Sequence, residues 1–208
     1  MLRKAGRSFN PVTLALVALC FALPFVTVGC DTPGGFAGAS PGGENRFTGF
    51  ALAIGGAAEV TDGHERPVPP GESDRLPPQP AAAAALLVVV ATIGVTFAIH
   101  QPRARRAAVA ALAAVGATAL MVSQALAQAE ITLRVADHLN RVVQGGGQID
   151  PAKTAHDYVH TGPGFGLAML GLAMLVVVNG VGWWRARPRP ALVAPRAAPG
   201  PPADPYLT

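Results

Sequence analysis

The sequence predicts an all-α membrane protein with four transmembrane helices and two extracytoplasmic segments. Three observations lead to this prediction. Only 13% of the 208 residues are charged, against about 25% in soluble domains. The apolar residues are gathered into four runs, each close to the roughly 20 residues that a helix needs to cross a bilayer. Basic residues flank these runs in three clusters, as in proteins that follow the positive-inside rule.

A basic cytoplasmic tail over residues 1–10 precedes the first predicted span, residues 11–29. Pro24 is expected to kink this helix or to end it early. Three interpretations are open: a retained span, a lipoprotein signal processed at Cys30, and a signal peptide cleaved after Ala39. The run is longer than the apolar region of a signal peptide, about 7–15 residues, which favours retention.

A helical hairpin organises the rest of the chain. Its arms are the second and third predicted spans, residues 81–100 and 107–128, neither of which contains an Asp, Glu, Lys or Arg. The elbow between them, residues 101–106, carries three arginines. Positive charge is retained on the cytoplasmic side of a membrane, so the elbow is predicted to be a cytoplasmic turn.

Residues 30–80 and 129–162 are the two predicted extracytoplasmic segments. In the first, residues 45–54 predict a short strand or a turn resting on the membrane, and residues 67–80 predict an unpaired polyproline linker. The second continues the third helix as an amphipathic helix that ends at the glycines of residues 145–147. Its apolar stripe, expected to rest on the membrane or pack against the first segment, is Ile131, Val135, Leu139, Val142 and Val143. We expect the two segments to fold against each other above the bilayer.

The fourth predicted span covers residues 163–184. Trp183 and Trp184 close it and Arg185 follows, which is typical of an aromatic belt next to cytoplasmic charge. The Pro-rich tail, residues 185–208, is expected to be disordered. Both termini are therefore predicted to be cytoplasmic. The preference for Arg over Lys and the abundance of Ala, Gly and Pro are typical of a GC-rich bacterial gene, which predicts the bacterial cytoplasmic membrane.

The net charge of +4 does not predict a nucleic-acid partner. Ten of the 16 basic residues lie within residues 3–7, 103–106 and 185–196, beside apolar runs, so membrane topology accounts for the excess. The predicted partners are the lipid bilayer and either another membrane protein or further copies of this chain.

The sequence contains no catalytic motif and predicts no cofactor. A phosphate-binding loop, a dinucleotide fingerprint and a GxSxG elbow are all absent from it. The favoured function is a non-enzymatic envelope or accessory protein acting through its extracytoplasmic segments. A lipid-modifying membrane enzyme is one alternative, for which the acid–base candidates would be Asp137, Asp150 and Asp157.

A small-solute or metal-handling protein is the other alternative. His156 and His160 are four residues apart, so on a helix they would share a face and could bind a metal such as zinc. His138 and Asp157 are candidates for further ligands. The spacing fixes no third ligand.

Three short phrases resemble a group of uncharacterised bacterial four-span membrane proteins. They are Leu23-Pro-Phe-Val-Thr-Val-Gly-Cys30, Phe47-Thr-Gly-Phe-Ala-Leu-Ala53 and Gly164-Phe-Gly-Leu-Ala168. In that group the first phrase ends a retained first span, and the members have no assigned activity. The resemblance implies a four-span topology and transfers no functional residue. This sequence departs from the group in having Gly29 where the group has Ser, and in its longer first loop.

Overall fold

The structure is a computed structural model that describes residues 2–30, 43–61, 64, 66–69, 75–143, 155 and 157–186. Most of these residues are helical. The helices are α1 Leu2–Cys20, α2 Gly49–Ile54, α3 Pro80–Ala98, α4 Pro102–Val143 and α5 Pro163–Arg185. The strands are β1 Pro24–Cys30, β2 Gly43–Thr48, β3 Gly56–Ala57, β4 Glu59–Thr61, β5 Pro67–Val68, β6 Arg75–Leu76 and β7 Val159–Thr161.

Three helices, α3, α4 and α5, are each long and apolar enough to cross a membrane. They form a bundle in which α4 packs against α3 and α5, while α1 packs against α5 and α3. Gly116 lies where α4 meets its neighbours, since a Cβ there would lie 3.4 Å from Val88 of α3 and 3.9 Å from Leu172 of α5. The core of the bundle is made of small and branched side chains, among them Val89, Ala113, Leu120 and Leu172.

The first apolar run does not form one helix, and the prediction of a helix through residue 29 is wrong beyond Cys20. After α1 the chain turns, with the Leu23 amide donating to the Cys20 carbonyl at 3.0 Å, and β1 begins at Pro24. Pro24 has no N–H to continue the helical ladder, and the Phe-Val-Thr-Val that follows has high strand propensity. The apolar part of α1 is therefore only Asn10–Cys20.

The prediction of an all-α fold is confirmed only in part, because most described residues are helical but the described strands form two sheets. The larger is antiparallel and five-stranded, with the order β5-β4-β2-β1-β7. It joins strands from both segments that were predicted to lie outside the spans, so these segments meet through β1. The linker predicted to be unpaired contributes β5 to this sheet and β6, which pairs with β3 in the smaller sheet. Residues 45–54 divide between β2 and the helix α2.

The amphipathic extension of the third span is part of α4, which runs without interruption for 42 residues. Ile131 and Val135 of the predicted apolar stripe are buried. Arg134 pairs with Glu130 at 2.6 Å and donates through Nη1 to the Arg75 carbonyl at 3.0 Å. The extension thus packs against the first segment, which was one of the two arrangements expected for it. The glycines of residues 145–147 and the Pro-rich tail beyond residue 186 lie outside the described residues.

Candidate functional site at the sheet and its junction with the helices

The turn between α1 and β1, residues 20–25, is where the sheet is fastened to the bundle. The Phe50 amide donates to the Phe21 carbonyl at 2.9 Å, and the Gly162 amide donates to the Phe25 carbonyl at 2.8 Å. The Gly49 amide donates to the Leu23 carbonyl at 3.3 Å. Residues of the first two phrases named above therefore meet at this turn, and the third phrase begins two residues after Gly162, although more than 100 residues separate it from the first.

Glycine is required on both sides of this turn because the backbones approach closely. A Cβ on Gly162 would overlap the Pro24 carbonyl oxygen, and one on Gly164 would lie 2.8 Å from the Leu23 Cβ. A Cβ on Gly49 would lie 2.9 Å from the ring of Phe25. Phe21 and Phe25 fill the remaining space, with ring centroids 5.1 Å apart. The turn is thus held by backbone hydrogen bonds and aromatic packing together.

A cluster of neutral polar side chains lies beside the turn, buried at Gln79, Ser123 and Gln124 and exposed at Thr161. Gln124 of α4 donates through Nε2 to the Phe25 carbonyl at 3.2 Å, and Gln128 donates to Thr161 Oγ1 at 2.9 Å. Ser123 donates to Gln79 Oε1 at 3.4 Å. Gln79 and Gln124 are only 5% and 6% exposed. This cluster ties α4 to β1, to β7 and to the start of α3.

The cluster has hydrogen-bonding capacity to spare. Gln79 Nε2 and Gln124 Oε1 are buried and have no partner among the described residues. Neither amide titrates, so the cluster can position groups but cannot transfer protons in acid–base catalysis. We assign it a structural role at the junction.

The sheet has one apolar face and one polar face. Alternate residues of β1 and β2 are buried, so Val26, Val28 and Phe47 point to the same side, together with Val60 and Val159 of the neighbouring strands. The opposite side, here called the outer face, carries a row of cross-strand neighbours across four strands. That row is Glu59 in β4, Arg46 in β2, Thr27 in β1 and His160 in β7.

Charge on the outer face is organised around Arg46. Its guanidinium donates to Glu44 Oε2 from Nε at 2.9 Å and from Nη2 at 2.7 Å. The two side chains are 41% and 32% exposed, so water reaches the pair. His160 and Glu59, at the two ends of the row, are exposed. The outer face therefore offers a cation, carboxylates, a hydroxyl and an imidazole to a ligand, on a rigid support.

The candidate metal ligands fall in different kinds of structure. His160 lies in β7, which begins at Val159, so the helix that would place it on one face with His156 does not extend to His160. His156 lies outside the described residues, as does the side chain of His138. Asp157 is exposed. Within the part of the chain that the structure describes, no group of three or more His, Cys, Asp or Glu residues is placed to hold a metal ion.

The acid–base candidates for a lipid-modifying enzyme are also scattered. Asp137 is exposed on the extension of α4, and Asp157 is exposed just before β7. Asp150 lies outside the described residues. Sequence reasoning did not single out Arg46, Thr27 or Gln79, whose roles depend on strand pairing that brings distant segments together.

Comparison with known proteins gives no match to a protein-family model, to a curated protein or to a solved structure. The resemblance drawn from the three phrases therefore stays a prediction. Their convergence on the turn at residues 20–25 is a property of this chain's own fold.

Proposed function

We propose that the chain is a four-span integral protein of the bacterial cytoplasmic membrane, and that its sheet is a non-enzymatic binding module on the extracytoplasmic side. In this role it is an envelope or accessory protein whose working surface is the outer face. The observation that carries the assignment is the row of polar side chains across four strands, held on a bundle of apolar helices. Support for each part comes from contacts at the two ends of the bundle.

A reciprocal amide pair supports α1 as the fourth span. Asn10 and Asn179 donate to each other at 3.0 and 3.1 Å, and Asn179 also donates to the Leu175 carbonyl at 2.9 Å. This pair, together with the close approach of Val17 to Gly171, shows that α1 runs antiparallel to α5. With 19 residues, α1 is about 28 Å long, close to the roughly 30 Å of a bilayer core.

The first turns of α1 supply the length that its short apolar part lacks. Beyond the pair, α1 continues back to Leu2 while α5 continues to Arg185. At the rise of a helix, Leu2 lies about 12 Å beyond Asn10, and Arg185 lies about 9 Å beyond Asn179. The basic residues at positions 3–7 are thereby brought level with the end of α5, at the boundary of the membrane.

Contacts at that end support the proposed orientation. Arg106 donates through Nη1 to the Gly182 carbonyl at 3.0 Å, so the elbow and the end of α5 lie at one level. The basic residues of α1, those of the elbow and Arg185 at the end of α5 then share one side, which the positive-inside rule makes cytoplasmic. The sheet, at the opposite end of α5, is extracytoplasmic, and both termini are cytoplasmic.

The place of β1 in the sheet supports retention of the first span. β1 lies between β2 and β7 and pairs with both. Cleavage before Cys30 would remove nearly all of β1, and cleavage after Ala39 would remove all of it. Either event would leave β2 and β7 without the strand that joins them.

Cysteine labelling of intact cells tests the topology. In a chain with Cys20 and Cys30 replaced by Ala, we introduce Glu59→Cys in the sheet or Gln101→Cys in the elbow. A membrane-impermeant maleimide should label the first variant in intact cells and the second only after permeabilisation. Labelling of Gln101→Cys in intact cells would place the elbow outside and overturn the orientation.

Two matched ion pairs test the function. Glu44→Gln with Arg46→Gln removes the pair on the outer face, and Glu130→Gln with Arg134→Gln removes a pair of similar length on α4. In a deletion strain, at equal membrane levels, the first variant should fail to restore resistance to envelope stress, and the second should restore it. If both restore it fully, the outer face is not the working surface.

A further inference from the structure

A second apolar face runs along α4, on the side turned away from its own bundle. Eight residues of it, here called the α4 seam, follow one another at alternating intervals of four and three residues. Four of them are large and exposed: Val115 by 55%, Val122 by 48%, Leu126 by 52% and Leu133 by 71%. The complete seam is Val115, Ala119, Val122, Leu126, Ala129, Leu133, Ala136 and Asn140.

The opposite side of α4 already has its partners. Val109, Ala113, Leu120, Ala127 and Ile131 are all at most 3% exposed and belong to the core of the protein. Six of the eight seam residues are therefore additional to the surface that folding of one chain uses, while Ala119 and Ala136 are half-buried and also pack against the core. Such a surface on a helix needs either lipid or protein to cover it.

Lipid cannot cover the whole seam. Ser123 and Gln128 of α4 contact Gln79 and Thr161, which immediately precede α3 and α5. Counted along α4 at the rise of a helix, Leu133 lies about 7 Å beyond the level of Gln128, near the start of α5. It lies about 15 Å beyond the level of Ser123, near the start of α3. The headgroup layer is only about 5–8 Å thick on each side. The outer end of the seam, Leu133, Ala136 and Asn140, therefore stands largely in water.

The spacing, on a helix that extends beyond the other spans, indicates what covers it. Apolar residues at alternating steps of four and three are the seam of a coiled coil, with Ala119, Leu126, Leu133 and Asn140 at a positions and the others at d positions. An asparagine at an a position fixes the register of parallel pairs. All copies of a membrane protein are inserted in the same orientation, so two copies of α4 can only pair in parallel.

The residues beside the seam are compatible with such a pair. Glu130 and Asp137 fall at e positions, and the g positions that would face them in the other copy are Ala125 and Thr132. No two charges of the same sign would oppose each other there. The alanines at d positions allow the helices to approach closely.

We propose that the α4 seam is the interface of a parallel homodimer, in which two copies of the chain are related by a two-fold axis along the membrane normal. The interface starts inside the bilayer and continues above it. It depends on the membrane placement proposed above but not on the outer face of the sheet. The labelling experiment already described tests that placement separately.

Disulfide cross-linking in native membranes tests the dimer. The full chain, with Cys20 and Cys30 replaced by Ala, carries either Leu133→Cys or Arg134→Cys and is oxidised with copper phenanthroline. The two positions lie at nearly the same height but about 100° apart around α4. Leu133→Cys should give a cross-linked homodimer, identified by mass, and Arg134→Cys should not. Absence of that homodimer, equal cross-linking at both positions, or a different polypeptide joined at Leu133→Cys would overturn the proposal.

Native mass spectrometry of the extracted protein gives an independent readout. The wild-type chain should carry two copies, and Leu133→Asp should reduce this to one. Leu126→Ala with Leu133→Ala should weaken dimerisation by more than about tenfold, as truncation of central apolar anchors does. Leu167→Ala, also at an exposed leucine but on α5, is the matched control and should leave the dimer intact. A monomeric wild-type chain would contradict the proposed interface.

Discussion

Gly171 of α5 and Val17 of α1 lie at a close crossing of the two helices: a Cβ added to Gly171 would be 2.5 Å from Val17 Cγ2. Val17 is buried, so it has no room to move away. In lipid, small residues at such crossings let helices pack by direct van der Waals contact. The short first helix is therefore held along its length by this crossing as well as by the asparagine pair nearer its start.

Gly171→Ala should destabilise the protein by about 1–3 kcal/mol, the usual cost of overpacking. Adding Val17→Ala should recover part of the loss, because it removes the atom that the new methyl group meets. Unfolding in mixed micelles measures both effects. Gly166→Ala, on the same helix but with open space for its Cβ among the described residues, is the control. An equal loss at Gly166 would mean that helix flexibility, rather than the crossing, is responsible.

Gly29 and Gly162 should respond in opposite ways to a side chain. A Cβ at Gly29 meets no described atom within 4 Å, whereas one at Gly162 overlaps the Pro24 carbonyl. Gly29→Ser should fold normally, and Gly162→Ala should separate β7 from β1 and lose the hydrogen bond to Phe25. Protease resistance of the sheet in membrane fractions distinguishes the two variants. Normal resistance of Gly162→Ala would show that the close approach at the turn is not required.

The interaction between Asn10 and Asn179 should make a measurable but small contribution to stability. A double-mutant cycle with Asn10→Leu and Asn179→Leu should give a coupling free energy of about 0.6–1.7 kcal/mol, the range of hydrogen bonds within membrane proteins. Asn10→Leu leaves Asn179 with only its bond to the Leu175 carbonyl, and Asn179→Leu leaves the half-buried Asn10 amide without this partner. The double variant should therefore be more stable than the sum of the single changes predicts. Strictly additive effects would show that the two amides do not interact in the folded protein.

Gln124→Leu should weaken the junction between α4 and the sheet. It removes one of the two donors to the Phe25 carbonyl, which keeps the Gly162 amide, so the expected cost is about 0.5–1.5 kcal/mol, the net contribution of one hydrogen bond. In the variant, hydrogen exchange in β1 and β7 should become faster than in the wild-type chain, while exchange in α3 should change less. Gln101→Leu, at an exposed position in the elbow, is the control. Unchanged exchange in β1 would mean that its pairing with β2 and β7 holds it in place without α4.

Hydropathy and charge predicted the helices α3, α4 and α5 well because those signals are local and repeat along the chain. Hydropathy gave a wrong prediction at residues 24–29, where Phe-Val-Thr-Val suits both an apolar span and a strand. Its partners lie far away in sequence: Val28 pairs with Asn45 on one side and with Val159 on the other. No single stretch records such pairing, so the sheet and its outer face escaped prediction.

Two local signals could have improved the prediction. Pro24 followed by β-branched residues favours a strand over the last turns of a helix. Gln124 and Gln128, four residues apart, place two amides on one side of α4, and such a pair in an apolar helix indicates a polar partner. Strands of two residues, such as β5 and β6, carry no comparable signal.

Because β1 lies between β2 and β7, its two edges become paired at different times during synthesis of the chain. β2 begins at Gly43, well before the helices that follow it and soon after β1 ends at Cys30, but β7 emerges only after α3 and α4 have been made. At a synthesis rate of about 5–20 residues per second, the edge of β1 that pairs with β7 stays unpaired for several seconds. In the proposed topology β7 reaches that edge only if both arms of the hairpin have inserted correctly. Closure of the sheet is then a checkpoint, and a chain whose hairpin fails to insert keeps an open strand edge that quality-control proteases can recognise.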